Sequence, residues 1–79
     1  MSPTIFRESG YRFFFFSREE ERMHVHVISS DGEAKYWLEP EIELAKNYKH
    51  TSKQLKQIEE LIKAHYNELI SSWQAHFGS

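Results

Sequence analysis

The sequence MHVHVISSDGEAKYWLEP, residues 23–40, decides the fold, because it places two alternating apolar and polar runs around an Asp-Gly pair. Asp-Gly between alternating apolar residues is the strongest short-range signal for a β-hairpin. With Asp31 and Gly32 as the two turn residues, the register of the hairpin follows. The predicted cross-strand pairs are His24–Glu39, His26–Trp37 and Ile28–Lys35.

The two faces of this predicted hairpin differ in chemistry, because successive side chains on a strand point to opposite faces. One face is apolar and is expected to lie in the core: Val25, Val27, Ala34, Tyr36 and Leu38. The opposite face carries His24, His26, Ile28, Lys35, Trp37 and Glu39. This second set combines two imidazoles, an ammonium, an indole and a carboxylate, and it is the constellation in the chain best suited to chemistry or specific binding.

The flanking segments predict one further hairpin and two helices. Residues 4–8 and 11–16 are rich in strand formers and bracket Ser9-Gly10, which predicts a hairpin over about 4–16. Pro40 followed by acidic residues favours a short helix over about 40–47. Thr51 and Gln54 form a capping box, and the apolar spacing after it predicts a long amphipathic helix over about 52–77.

These elements predict a single α+β domain over residues 1–79. Its four-stranded antiparallel sheet of two hairpins is covered on the Val25 and Tyr36 face by the long helix. The face with His24 and Trp37 is then left open, with Phe14 or Phe16 nearby. An open aromatic sheet face on a small domain suggests a surface for a partner.

Composition limits the classes of function. The 79 residues contain no cysteine, which excludes disulfides, thiol nucleophiles and cysteine-ligated zinc. With no apolar stretch of membrane-spanning length and no secretory signal pattern, a cytoplasmic protein is expected. A net charge of −2 argues against a general nucleic-acid coating protein. Residues 46–56 contain four lysines and His50 but no acidic residue. This segment is either a solvated surface or a small phosphate-binding patch.

The order of PTIFRESGYRFFFFS, HVHV, AKYWLEP and a capped helix with a late Trp and Phe resembles the small bacterial family called domain of unknown function 4160. In that family the first histidine of HVHV usually follows a proline, whereas Met23 stands here, and the EEER segment before it diverges. Members are often encoded beside another small protein, in pairs that look like toxin–antitoxin modules. The resemblance therefore implies a partner protein, with nucleic acid as a further target, and it assigns no catalytic residues.

Two chemical hypotheses use the histidine pair. His24 and His26 point the same way on one strand and, with Glu39 or a side chain of the first hairpin as the third ligand, would form a site for a divalent metal. Alternatively, His24, His26 and Lys35 would act as base, acid and phosphate stabiliser in RNA cleavage. The structural alternative to both is that the histidines are half-exposed strand residues, with His26 packed against Trp37.

A third hypothesis is binding alone, through Trp37, His26, Lys35 and Phe14. This surface would stack the bases of single-stranded nucleic acid or bury against a second copy or a partner protein. Protein binding needs no positive field, so the charge balance favours it. We therefore expect a protein-interaction module of a toxin–antitoxin-like pair with no cofactor, and the sequence favours a non-enzymatic role while leaving enzymatic activity open.

The remaining histidines and late aromatics have structural predictions. His65 is expected at the edge of the core, bonded to backbone or solvent, and His50 and His76 are expected on the surface. Trp73 and Phe77 are expected to anchor the end of the long helix.

Overall fold

Five β-strands and two α-helices make up the computed structural model, which describes residues 4–15 and 22–77. In chain order they are β1 Thr4–Glu8, β2 Tyr11–Phe14, β3 His24–Ile28, β4 Glu33–Trp37, β5 Glu43–Tyr48, α1 Ser52–Ala64 and α2 Tyr66–Phe77. The strands form one antiparallel sheet in the order β1-β2-β3-β4-β5. The α+β class and both predicted hairpins are confirmed, and the sheet has one strand more than predicted. Phe16, the predicted end of the first hairpin, lies outside the described residues.

The register of the second hairpin differs from the prediction by two residues. His24 lies opposite Trp37, and His26 lies opposite Lys35. The N–H of Ser29 donates to the carbonyl of Gly32 at 2.9 Å, so the turn is centred one residue earlier than the Asp-Gly pair. A shift of two residues keeps every side chain on its predicted face, because the side-chain period of a strand is two. The predicted core face is accordingly buried: Val25, Val27, Ala34, Tyr36 and Leu38.

The predicted helix over residues 40–47 is wrong, because Glu43–Tyr48 forms strand β5 against β4. All six residues of β5 are exposed, so the segment gains no stability from burial in the core. A helix of this length has little stability of its own in water. Pairing with β4 instead satisfies backbone groups that would otherwise form an open sheet edge.

The start of α1 is as predicted. The N–H of Gln54 donates to Oγ1 of Thr51 at 3.1 Å, and the N–H of Thr51 donates to Oε1 of Gln54 at 2.8 Å. The helices bury Ile58, Ile62, Leu69 and Trp73 in the cluster that covers the apolar sheet face, as expected. The hydroxyl of buried Tyr36 reaches both the carbonyl of Leu55 and the carboxylate of Glu59, which attaches the sheet to α1. Burial, with the nearby Glu59, raises the pKa of the Tyr36 hydroxyl.

The single helix predicted over 52–77 is wrong at one residue, because His65 interrupts it with φ −108° and ψ 18°. Contrary to the predicted backbone or solvent partner, Nδ1 of His65 lies 2.8 Å from Glu68 and Nε2 lies 2.8 Å from Glu8. The His65 ring also stacks on Phe6 at 3.9 Å between centroids. His65 therefore attaches the break between α1 and α2 to strand β1.

The His65 contacts predict a pH-dependent stability. A neutral imidazole has one N–H, so both carboxylates accept from the ring only when it is protonated. Hydrogen bonds to Glu68 and then to Glu8 raise the pKa of His65 above its ordinary 6.5. This stabilisation is therefore complete below about pH 6.5 and is lost as the pH rises through the higher folded-state pKa. The stabilisation should amount to less than about 1 kcal/mol, because solvent screens the contacts of His65 with Glu8 and Glu68.

The prediction is checked by thermal unfolding of the wild type and the Glu8→Gln variant at a series of pH values, from below about 6.5 to above the folded-state pKa of His65. We expect the wild type to be the more stable at acidic pH, and the difference to shrink as the pH rises. A difference that is constant with pH would contradict the assignment.

Candidate functional site

The outer face of the sheet, defined as the face opposite the helices, carries a row of side chains that crosses four strands. Phe14 on β2 pairs with His26 on β3, His26 pairs with Lys35 on β4, and Lys35 pairs with Lys46 on β5. The rings of Phe14 and His26 stack with centroids 5.6 Å apart. The predicted neighbours His26, Lys35 and Phe14 therefore do come together, and Lys46 extends the row to the sheet edge.

Trp37 lies in the next row, between His24 on β3 and Glu43 on β5. The guanidinium carbon of Arg22 lies 4.2 Å from the centroid of the Trp37 ring, and Nζ of Lys35 lies 4.5 Å from it. Arg22 is also 3.8 Å from the carboxylate of Glu43. Two cations therefore contact the indole that was predicted as a free stacking platform, so its surface is partly occupied by the protein itself.

His24 was expected on an open surface, but it is fully buried, with 0% exposure. Its Nδ1–H donates to the carbonyl of Arg22 at 2.7 Å. Its ring contacts Trp73 of α2, with centroids 5.3 Å apart, and Trp37, with centroids 5.5 Å apart. Trp73 also contacts Phe15 just after β2, so α2 closes this end of the sheet and covers the histidine.

One exposed part of the outer face is its β4–β5 side. A groove of about 490 Å³ lies there, lined by His26, Glu33, Ala34, Lys35, Lys46 and Tyr48. Tyr48 is 61% exposed and Leu44 is 38% exposed, and both belong to β5. The sequence analysis placed Lys46 in a predicted helix and in a separate lysine-rich segment, and Tyr48 in a connector, so neither residue was predicted beside His26 and Lys35. The signal that could have found them was the pair of β-compatible residues Leu44 and Tyr48 beside the open edge of β4.

The residues predicted as metal ligands are only partly brought together. The rings of His24 and His26 have centroids 5.1 Å apart. Glu39, predicted opposite His24, lies beyond the end of β4, and its carboxylate accepts the N–H of Met23 at 3.4 Å. Within residues 4–15 and 22–77, no group of three or more His, Asp or Glu is arranged to hold a metal ion.

His50, predicted on the surface, is only 5% exposed. Its Nε2 is hydrogen-bonded to Oγ of Ser29 at 2.8 Å, and its backbone N–H donates to Oδ1 of Asn47 at 3.1 Å. Gln54 donates to Asp31 at 2.8 Å. These bonds connect the β3–β4 turn to the end of β5 and the start of α1. His50 is therefore part of the framework beside the groove, and the groove residues do not include it.

The described helices include none long and apolar enough to cross a membrane. No curated protein and no solved structure matches the chain. Residues 10–74, which include β2 to β5, α1 and most of α2, match the family model described as Domain of unknown function (DUF4160). The chain therefore belongs to the family of domain of unknown function 4160.

Proposed function

We propose that this chain is a protein-interaction module, one component of a toxin–antitoxin-like pair, and that it binds its partner through the β4–β5 side of the outer face. The observation that carries the proposal is the groove of about 490 Å³ between His26, Lys35, Lys46 and Tyr48. It combines a concave surface, an exposed aromatic ring and two ammonium groups on neighbouring strands. In this proposal the two proteins meet in the cytoplasm.

The chemistry of the groove favours a partner with an acidic segment. Lys35 and Lys46 are direct cross-strand neighbours, so their like charges lie side by side on one face. Like charges in directly opposed positions repel each other, and a partner carboxylate that contacts both ammonium groups would add to the Glu33 carboxylate that already lines the groove. Tyr48 supplies an amphipathic ring of the type that protein interfaces concentrate. The groove therefore combines an electrostatic and an apolar contact for one peptide segment.

The Lys35→Glu variant tests this proposal. We expect it to weaken binding to the product of the neighbouring reading frame by about tenfold, because a carboxylate replaces one of the two cations that contact the partner. Binding is measured by calorimetry on the two purified proteins. Circular dichroism verifies the fold, because Lys35 also contacts Trp37.

Lys56→Glu is the matched control, since Lys56 is an exposed lysine on α1 and makes the same charge change outside the groove. It should bind like the wild type. Equal losses of affinity in both variants would show that the effect depends on net charge alone. An unchanged affinity of the Lys35→Glu variant would show that the partner does not bind in the groove.

A second candidate, RNA binding with or without cleavage, is favoured by one observation, the alignment of His26, Lys35 and Lys46 in one row. An imidazole beside two ammonium groups suits a phosphate. The burial of His24 leaves His26 as the acid–base group of this hypothesis. The same variants discriminate the two candidates. If the chain binds RNA with an affinity that falls steeply with salt concentration, and less steeply in the Lys35→Glu variant, the ligand of the groove is RNA and not a protein.

A further inference from the structure

We infer that strand β5 pairs antiparallel with β5 of a second copy of this chain, joining two sheets at their edges. In the described residues β5 is the last strand of the sheet and pairs on one side only, with β4. All six of its residues are exposed, including Leu44 and Tyr48. An open edge of this length presents unpaired backbone N–H and C=O groups to any complementary strand.

A β-bulge determines which side chains of β5 share a face. Lys35 pairs with Lys46 and Tyr36 pairs with Leu44, so Ala45 is the extra residue on β5. In a regular strand, residues 43 and 46 would point to opposite faces, because their spacing is odd. The extra residue at Ala45 places Glu43, the partner of Trp37, and Lys46, the partner of Lys35, both on the outer face.

This arrangement makes β5 complementary to itself. In an antiparallel pair with its two-fold axis between Leu44 and Ala45, Glu43 of each copy lies opposite Lys46 of the other. The same axis places Leu44 opposite Ala45 twice. Opposite charges in directly opposed positions stabilise a strand pair, and a two-fold axis repeats each contact. A second copy therefore supplies the complementary strand without any additional chemistry.

Bulges and lysines commonly keep sheet edges apart. Here the bulge has the reverse effect, because it brings an acid onto the face of the lysine. Lys46 and Tyr48 line the groove and also belong to β5. Pairing would therefore bring the grooves of two copies onto one continuous outer surface. This inference goes beyond the proposed function and does not depend on it.

The inference is tested by measuring the molar mass of the chain alone over a dilution series, with light scattering after size-exclusion chromatography. The wild type should approach twice the chain mass of 9.5 kDa at high concentration. Glu43→Lys or Lys46→Glu should each raise the dissociation constant by about tenfold, because both symmetric contacts become like-charge pairs. The double variant, with the two charges exchanged, should dimerise like the wild type. Exchange of the β5 amides with deuterium should slow in the dimer.

Two controls isolate the edge contact. Arg22→Gln removes the ion pair of Glu43 within the chain and should leave the dimer intact. Lys56→Glu, on α1, makes the same change of net charge as Lys46→Glu and should also leave the dimer intact. A monomer at every concentration overturns the inference, and so does a dimer that resists both single reversals. Because the partner protein is absent from this experiment, neither result bears on the proposed function.

Discussion

Replacing Trp73 with alanine is expected to lower the free energy of unfolding by about 3–5 kcal/mol, the usual cost of truncating a buried tryptophan. Trp73 is 8% exposed and contacts Phe15, His24 and Phe77 through its ring. A chain of 79 residues has a total stability of about 4–12 kcal/mol, so this single side chain accounts for a large share of it. Urea unfolding followed by circular dichroism measures the loss.

The matched control for this prediction is Gln74→Ala, one residue along α2 and exposed. Its effect should stay within about 0.5 kcal/mol, as for most surface substitutions. A Trp73→Ala loss no larger than that of the control would show that α2 does not hold this end of the sheet.

Trp73→Ala also has a local consequence at His24. The Trp73 ring is one of the groups that cover this imidazole, so its removal should open His24 to solvent. Exchange of the C2 proton of the His24 ring, followed by NMR, should therefore become faster under conditions where the variant is still folded. An unchanged exchange rate would show that other groups bury the ring.

Gly32→Ala is expected to cost about 3 kcal/mol, at the upper end for a side chain forced into a packed position. A β-carbon at Gly32 would overlap the carbonyl oxygen of Tyr48 and would lie 3.1 Å from Cβ of Lys49. The nearest atom is backbone, so it cannot move aside as the end of a flexible side chain would. The end of β5 must therefore shift away from the β3–β4 turn. Urea unfolding measures the cost, and faster amide exchange in β5 would locate it.

Gly10→Ala provides the comparison, because the two glycines are required for different reasons. Gly10 has a φ of +84° and open space around its missing β-carbon. Alanine at this position should lower the free energy of unfolding by only about 1 kcal/mol, the cost of a left-handed backbone conformation for a residue with a β-carbon. If Gly10→Ala proved the more damaging of the two, the close approach of β5 to Gly32 would be refuted.

The Asp-Gly pair shows how a correct prediction can rest on the wrong reason. The hairpin that it predicts is present, but Gly32 is not the second turn residue, and its φ is not left-handed. What requires glycine is the carbonyl of Tyr48, which is 16 residues away in the sequence. Local pattern contains no information about such a contact, because it exists only after β5 has paired with β4.

For the candidate site, the sequence likewise predicted which side chains share a face but not how that face is exposed or covered. The alternation of residues 24–28 and 33–37 around the predicted turn placed His26 and Lys35 on one face, and that placement holds despite a register error of two residues. The exposure of the face was not predictable, because it depends on α2. Trp73 was predicted to anchor the end of the helix, but its ring contact with the buried His24 does not follow from the helical spacing of residues 52–77.

The sequence by itself determined the hairpins, the apolar face of the sheet and the capped start of α1, because each depends on residues a few positions apart. The tertiary structure decided the rest: residues 43–48 became a strand, His24 was covered, and Lys46 and Tyr48 joined the groove. The physical reason is the same in each case. An exposed segment without a strong apolar period takes its conformation from the backbone groups and surfaces that lie beside it, and these are set only when the whole chain has folded.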